Sequence, residues 1–223
     1  RRLIPLAKRR LSCEAPSEVS GMAEIADVLG FWLHEVGKDG WYKADDAVDA
    51  AIRDRFGALW EDARLGRLHD WPLTAEGALA CLIVTDQFPR NMYRGHHRAF
   101  ATDPLARAVA RDALARQLDR NFPGAERQFF YLPFEHSEDP ADQEIAVALM
   151  SDRMRDDEHV LHARAHREVI RRFGRFPFRN AALGRESTPE EEAFLASGAY
   201  GALVREMKEA MQSTHGSPER PPS

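Results

Sequence analysis

At 223 residues the chain can bury a substantial core without disulfides or metals, and its size lies between one large domain and two small ones. Hydrophobic residues at 43% against charged residues at 30% match a soluble globular protein, and no apolar run approaches the roughly 18–20 residues that span a bilayer. The net charge of −5 gives no general attraction to a phosphate backbone, so nucleic-acid binding is disfavoured and anion contacts fall to local basic patches. The first patch is Arg1, Arg2, Lys8, Arg9 and Arg10, enclosing an apolar stretch too short for a signal peptide. Residues 1–21, which precede Met22, are expected to be a flexible extension. Cys13 and Cys81 suggest no disulfide framework, and a reducing cytoplasm fits them best.

Apolar spacing then predicts helices in succession. Ile25, Val28, Leu29 and Trp32 recur at helical intervals in 23–36, as do Val48, Ile52, Phe56, Leu59 and Trp60 in 45–64. Thr74 opens a third helix, and Asp103-Pro104 supplies an N-cap and first position for a fourth. In FYLPF (130–134), Pro133 predicts a kinked or broken helix, after which Ser137 or Asp139 caps a new helix starting near Pro140. A longer helix closes at Gly174, and Thr188-Pro189-Glu190-Glu191 combines a first-turn proline with a capping box. Almost nothing alternates with period two, so the expected fold is all-α, with one domain at 22–212 and a disordered tail at 213–223. No repeat near 34 residues is evident, so periodicity leaves a bundle and stacked helix pairs both open.

Polar signals concentrate at the turns. Phe88-Pro89-Arg90-Asn91 is echoed by Phe176-Pro177-Phe178-Arg179-Asn180, so a Phe-Pro turn twice delivers an Arg-Asn pair. Such pairs either cap their own turns or, with Arg171, Arg172, Arg175 and Arg185, offer planar forks to a carboxylate or phosphate. Asp86, Glu135, Glu138 and Asp139 are the acids that would instead neutralise them internally. His159, His162 and His166 share a helix face, with His166 in line with Val169, Ile170 and Phe173 as a core histidine. No H-E-x-x-H or Glu-x-x-His pair occurs, and no metal or cofactor is expected. In EHSED (135–139) capping explains Ser137 and one acid, leaving His136 and Glu138 as surplus polar groups of a pocket or a buried network.

The segments DQFPRNMYRG, RAFATDPLA, FFYLPFEHSED, FGRFPFRN and LGREST, with VLGFWL near residue 30, resemble the bacterial family catalogued as domain of unknown function 924. The resemblance implies antiparallel helix pairs stacked in a tetratricopeptide-like arrangement, and no established activity. It also implies a shared polar pattern: Asp86, Gln87, Arg90 and Asn91; His136, Ser137 and Glu138; His166; Arg175, Arg179 and Asn180; then Arg185, Ser187 and Thr188. Phe178 stands where the family usually shows histidine, which weakens an enzyme reading built on that turn.

Two functional expectations follow. In one, Asp86, Gln87, Arg90, Asn91, Arg175, Arg179, Asn180 and Arg185 hold a small anionic molecule while His136, His166 and Glu138 move a proton. In the other, the polar set is internal scaffolding and the helices present a groove to a protein partner.

Overall fold

The computed structural model describes residues 18–215, and every regular element among them is helical. Helix α1 (Glu18–Gly30) continues into a π-helical turn, Phe31–Val36, and a single turn, α2 (Gly37–Gly40). Its first residues fall inside the expected extension, whose remainder, with Cys13 and the basic patch, lies outside the described residues. The Asp45 carboxylate accepts from the Ala47 and Val48 amides to start α3 (Asp46–Arg64), which buries Ile52, Phe56, Trp60 and Ala63 along one face. Thr74 caps α4 (Ala75–Leu82), a helix of small and apolar residues buried on nearly every side. Gly77 is required there, because a Cβ would stand 2.0 Å from the Trp71 carbonyl oxygen.

A second π-helical turn, Ile83–Gln87, leads into α5 (Phe88–Met92). In α6 (Asp103–Ala115) the cap position belongs to Thr102, while Asp103 occupies the first helical position. The expected capping role of Asp103 fails because its carboxylate is turned to Arg90 instead. The FYLPF segment divides as its proline predicts: a 3₁₀ turn, Ala125–Phe130, precedes the one-turn helix α7 (Leu132–Glu135), with Pro133 in its first turn. Asp139 caps α8 (Pro140–Leu149), which runs into a third π-helical turn, Met150–Met154. Asp156 caps α9 (Asp157–Phe173), and Gly174 ends it at φ +68°, a conformation that favours glycine. The Thr188–Glu191 capping box opens α10 (Pro189–Ala196), and α11 (Ala199–His215) follows, so most of the expected tail lies outside the described residues.

Helix α3 packs on α5, α4 on α6, α8 on α9, and α9 on α11. The main core centres on aromatic rings, with Phe88 4.9 Å from Phe56, 5.6 Å from Trp32 and 6.1 Å from Phe31. A smaller core joins Val169, Ile170, Phe176, Phe194 and Leu203. The polar turns join the elements around these two cores. No helix among the described residues is long and apolar enough to cross a membrane.

Candidate functional site

The first turn is built by a π bulge followed by proline. The bulge carries Thr85, Asp86 and Gln87 inward together, all buried. Pro89 has no N–H to give the Thr85 carbonyl, and Thr102 Oγ1 donates to that oxygen at 2.6 Å. Asn91 Nδ2 donates to the Gln87 carbonyl at 3.1 Å, and Arg90 Nη1 to the Asp86 carbonyl at 2.8 Å. Arg90 also forms a two-pronged pair with Asp103, at 2.9 and 3.1 Å, and stands 3.2 Å from Asp86 Oδ1. This Arg-Asn pair therefore caps its own turn, and its arginine reaches beyond it.

The second turn brings two imidazoles to two buried carboxyls. His136 Nδ1 lies 2.9 Å from both Asp86 oxygens, and Gln87 Nε2 donates to Asp86 Oδ2 at 2.5 Å. His166 Nδ1 lies 2.9 Å from Glu135 Oε1, 3.0 Å from the His162 carbonyl and 3.2 Å from the Tyr200 hydroxyl. A carbonyl only accepts, so His166 carries its proton on Nδ1. The two rings meet edge to face, 6.1 Å between centroids. Each histidine side chain keeps 16% exposure, and neither Nε2 makes a hydrogen bond among the described residues. Glu135 Oε2 is buried without a partner.

The third turn locks the other two in place. Glu138 accepts the Phe176 amide at 2.9 Å and a two-pronged grip from Arg185 at 2.8 and 3.0 Å. Arg179 Nη1 donates to the His136 carbonyl at 3.0 Å, and its guanidinium lies between the Phe100 and Phe176 rings, 4.7 and 4.4 Å from their centroids. Arg175 pairs with Glu191, and Asn180 donates to Glu191 and Ser187, so these two serve the start of α10. Phe178 is 42% exposed and stacks on Phe176 at 5.2 Å.

Burial pushes the Asp86 carboxyl up, but Arg90 and His136 outweigh it and hold the group well below the usual carboxylate range. Burial and Arg90 push His136 down, against the pull of Asp86. The pair is therefore an ionised Asp86 receiving Nδ1–H from a neutral imidazole, which turns the lone pair to Nε2. Burial, then Arg90, brings Arg179 down to about 10, so it remains cationic at neutral pH. The lowered Asp86 and His136 both favour the folded state above their unfolded values. Acidification below about 6.5 should weaken the protein first, as the unfolded chain takes a proton that His136 resists, and more steeply below about 3.9 as the same happens at Asp86. Urea midpoints measured against pH test this; His136→Asn, which keeps a donor toward Asp86, should flatten the upper part of the curve, leaving the share of His162, also pushed down by burial.

The three turns named by the sequence thus converge, but several expected roles change. Glu138 is not the acid beside either histidine, because Arg185 and the Phe176 amide occupy both its oxygens; Asp86 and Glu135 take that place. Asp86 and Gln87 belong to the histidine cluster rather than to an anion cradle, and Asn91 is spent on the Gln87 carbonyl. Arg90, Arg175 and Arg185 are each gripped by an acid of the chain, and the Nε atoms of Arg179 and Arg185 are sealed from solvent. Carboxylates Asp86, Asp103, Glu135 and Glu138 outnumber guanidiniums Arg90, Arg179 and Arg185, so no surplus positive charge awaits an anion. Arg171 and Arg172 are likewise held by Glu168. Two members of the cluster carry no sequence signal for this role: Asp103 reads as a cap beside Pro104, and Tyr200 lies in no motif. Glu135, adjacent to His136, was legible as an acid but not as the partner of His166.

Among solved structures, the protein of unknown function ATU0120 from Agrobacterium tumefaciens is 42% identical, with TM-score 0.75, over 78% of this chain and 97% of that one. No curated protein matches the chain. The family model of bacterial proteins of unknown function DUF924 matches residues 28–199, and the chain belongs to that family.

Proposed function

We propose that the chain binds a small polar molecule at the junction of the three turns, and that His136 and His166 move protons on it. One observation carries the reading: two imidazoles, each oriented through Nδ1 by a buried carboxyl, stand 6.1 Å apart with both Nε2 atoms uncommitted. A neutral imidazole fixed in one tautomer is a general base at neutral pH, and its protonated form is the matching acid. The ligand is bound through hydrogen-bond donors rather than as an anion, since Arg90 and Arg185 are gripped by Asp103 and Glu138 and the Arg179 charge lies 3.6 Å from Asp103. It is small, because both rings are only partly exposed.

The interaction-module reading is favoured by the internal pairing of Arg90, Arg175 and Arg185, which is what a packing-specifying network requires. Diethyl pyrocarbonate, which acylates neutral imidazole nitrogen, separates the two. On the acid–base reading, mass spectrometry of the native protein at pH 7 finds His136 and His166 modified alongside the exposed control His69, whose side chain is 74% exposed. Modification of His69 with both site histidines untouched would mean that Nε2 is closed to ligands and would leave the scaffold.

A further inference from the structure

The histidine face of α9 is only partly used by the junction. His162 and His166 stand one turn apart on it, and the Tyr200 ring of α11 lies against both, 5.9 and 4.6 Å between centroids. The Tyr200 hydroxyl is 2.7 Å from His162 Nδ1 and 3.2 Å from His166 Nδ1. His166 Nδ1 carries the proton that the His162 carbonyl accepts, so it cannot itself accept from Tyr200. The hydroxyl oxygen therefore faces a donor on the His166 side and turns its own proton to His162 Nδ1. The other acceptor within its reach, the His162 carbonyl, is farther away at 3.4 Å.

His162 Nδ1 is then an acceptor, and the proton of that ring sits on Nε2. Nε2 lies 3.6 Å from the Glu158 carboxylate, which Lys208 holds at 3.0 Å, and the His162 side chain is 40% exposed. Burial pushes His162 down against the pull of Glu135 and Glu158, which keeps Nδ1 free to accept at neutral pH. Burial, with Glu135 adding to it, pushes the Tyr200 hydroxyl up, so it stays un-ionised. The two imidazoles thus hold opposite tautomers, joined head to tail through one hydroxyl. A tyrosine that only tied α11 to α9 would need one acceptor; this one also has a donor behind it.

We infer that Tyr200 and His162 form a proton relay between His166 and solvent. When His166 Nε2 takes a proton from the ligand, the ring becomes an imidazolium and releases its Nδ1 proton to the Tyr200 oxygen. The Tyr200 O–H bond breaks in the same step, its proton bonds to His162 Nδ1, and His162 gives its Nε2 proton to water. Tyr200 ends as a hydroxyl and both rings end neutral with their tautomers exchanged. One proton has passed from ligand to solvent, and nothing is oxidised or reduced. The return passage, in which a proton enters at His162 Nε2 and another leaves His166 Nε2 for the ligand, restores both tautomers, so base and acid steps alternate on one path. The relay deepens the acid–base reading and rests on it for the ligand's proton, but the path itself is tested without a ligand.

Heteronuclear NMR of the histidine rings in the full chain is that test. At about pH 8, above the histidine range, His166 should show the Nδ1–H tautomer and His162 the Nε2–H tautomer. Exchange of the His166 Nδ1 proton with water should slow by about tenfold or more in Tyr200→Phe, which keeps the ring and removes the link. His162→Gln keeps an acceptor toward Tyr200 but passes no proton, and should slow exchange as much, with little further change in the double variant. Loosened packing would speed exchange, so a slower rate is not a folding effect. His159→Gln, on the same helix but engaged with Asp156, should leave the rate at the wild-type value. The same tautomer in both rings, or exchange in either Tyr200→Phe or His162→Gln as fast as in the wild type or faster, overturns the relay. The acid–base reading fails on a different observation, the inertness of both site histidines to diethyl pyrocarbonate, so the two failures are distinguishable.

Discussion

Replacement of Asp86 by alanine is expected to lower the free energy of unfolding by about 2–6 kcal/mol, the cost of leaving two buried donors unsatisfied at about 1–3 kcal/mol each. The carboxylate is 1% exposed and ties three groups together: His136, Gln87 and Arg90. Its loss leaves the His136 Nδ1 proton and a Gln87 amide proton facing no acceptor. Arg90 keeps Asp103, so its charge is not stranded. Asp86→Asn, which preserves shape and one acceptor but turns an amide toward either Arg90 or His136, should cost less than alanine. The urea midpoint should fall with the slope unchanged, as for a loss of stability without a change in the surface exposed. A double-mutant cycle with Arg90→Met isolates the pairing, because the two residues are in contact and their effects should not add. An alanine cost below about 1 kcal/mol would mean that Asp86 is not the hub of the junction and that the three turns are held by apolar packing alone.

Much of the fold was legible, because helix starts leave local marks. Thr74, Asp139 and Thr188 each accept the amides that their positions predict, and Gly174 adopts the left-handed backbone that ends α9. The all-helical class followed from spacing that needs only neighbours a few residues apart. Partner choice across long separations was not legible in the same way. Glu138 and Glu135 both lie beside His136 in sequence, yet Arg185, 47 positions away from Glu138, occupies one, and His166 takes the other. Asp103 reads as a cap from its neighbour Pro104, and only the packing of α6 beside the α5 turn turns it toward Arg90. The π bulges were illegible for a related reason. Phe31–Val36 and Ile83–Gln87 carry the same apolar spacing as an ordinary helix, and the extra residue in each turn becomes visible only from the hydrogen-bond ladder. At the second bulge the extra residue brings Asp86 and Gln87 inward together, opposite His136.

Phe88→Ala is expected to cost about 3–5 kcal/mol, the usual penalty for deleting a fully buried aromatic ring, and to disturb the histidine pair as well. The ring is 0% exposed and contacts Phe31, Trp32 and Phe56 at the centre of the main core. Its backbone amide closes the π turn on the Ile83 carbonyl, two residues after the Asp86 carboxylate. A cavity at residue 88 therefore removes the support on which that turn rests, and Asp86 should lose its fixed position opposite His136. Phe88→Leu, which refills most of the volume, should recover the larger part of the stability. The two readouts need not move together, and that gives the experiment its force. If Phe88→Ala lowers the urea midpoint and also raises the rate at which diethyl pyrocarbonate modifies native His136, the bulge transmits core packing to the imidazole. A large stability loss with an unchanged modification rate would mean that Arg90, Gln87 and Asp103 hold the carboxylate by themselves, with the aromatic core as a bystander.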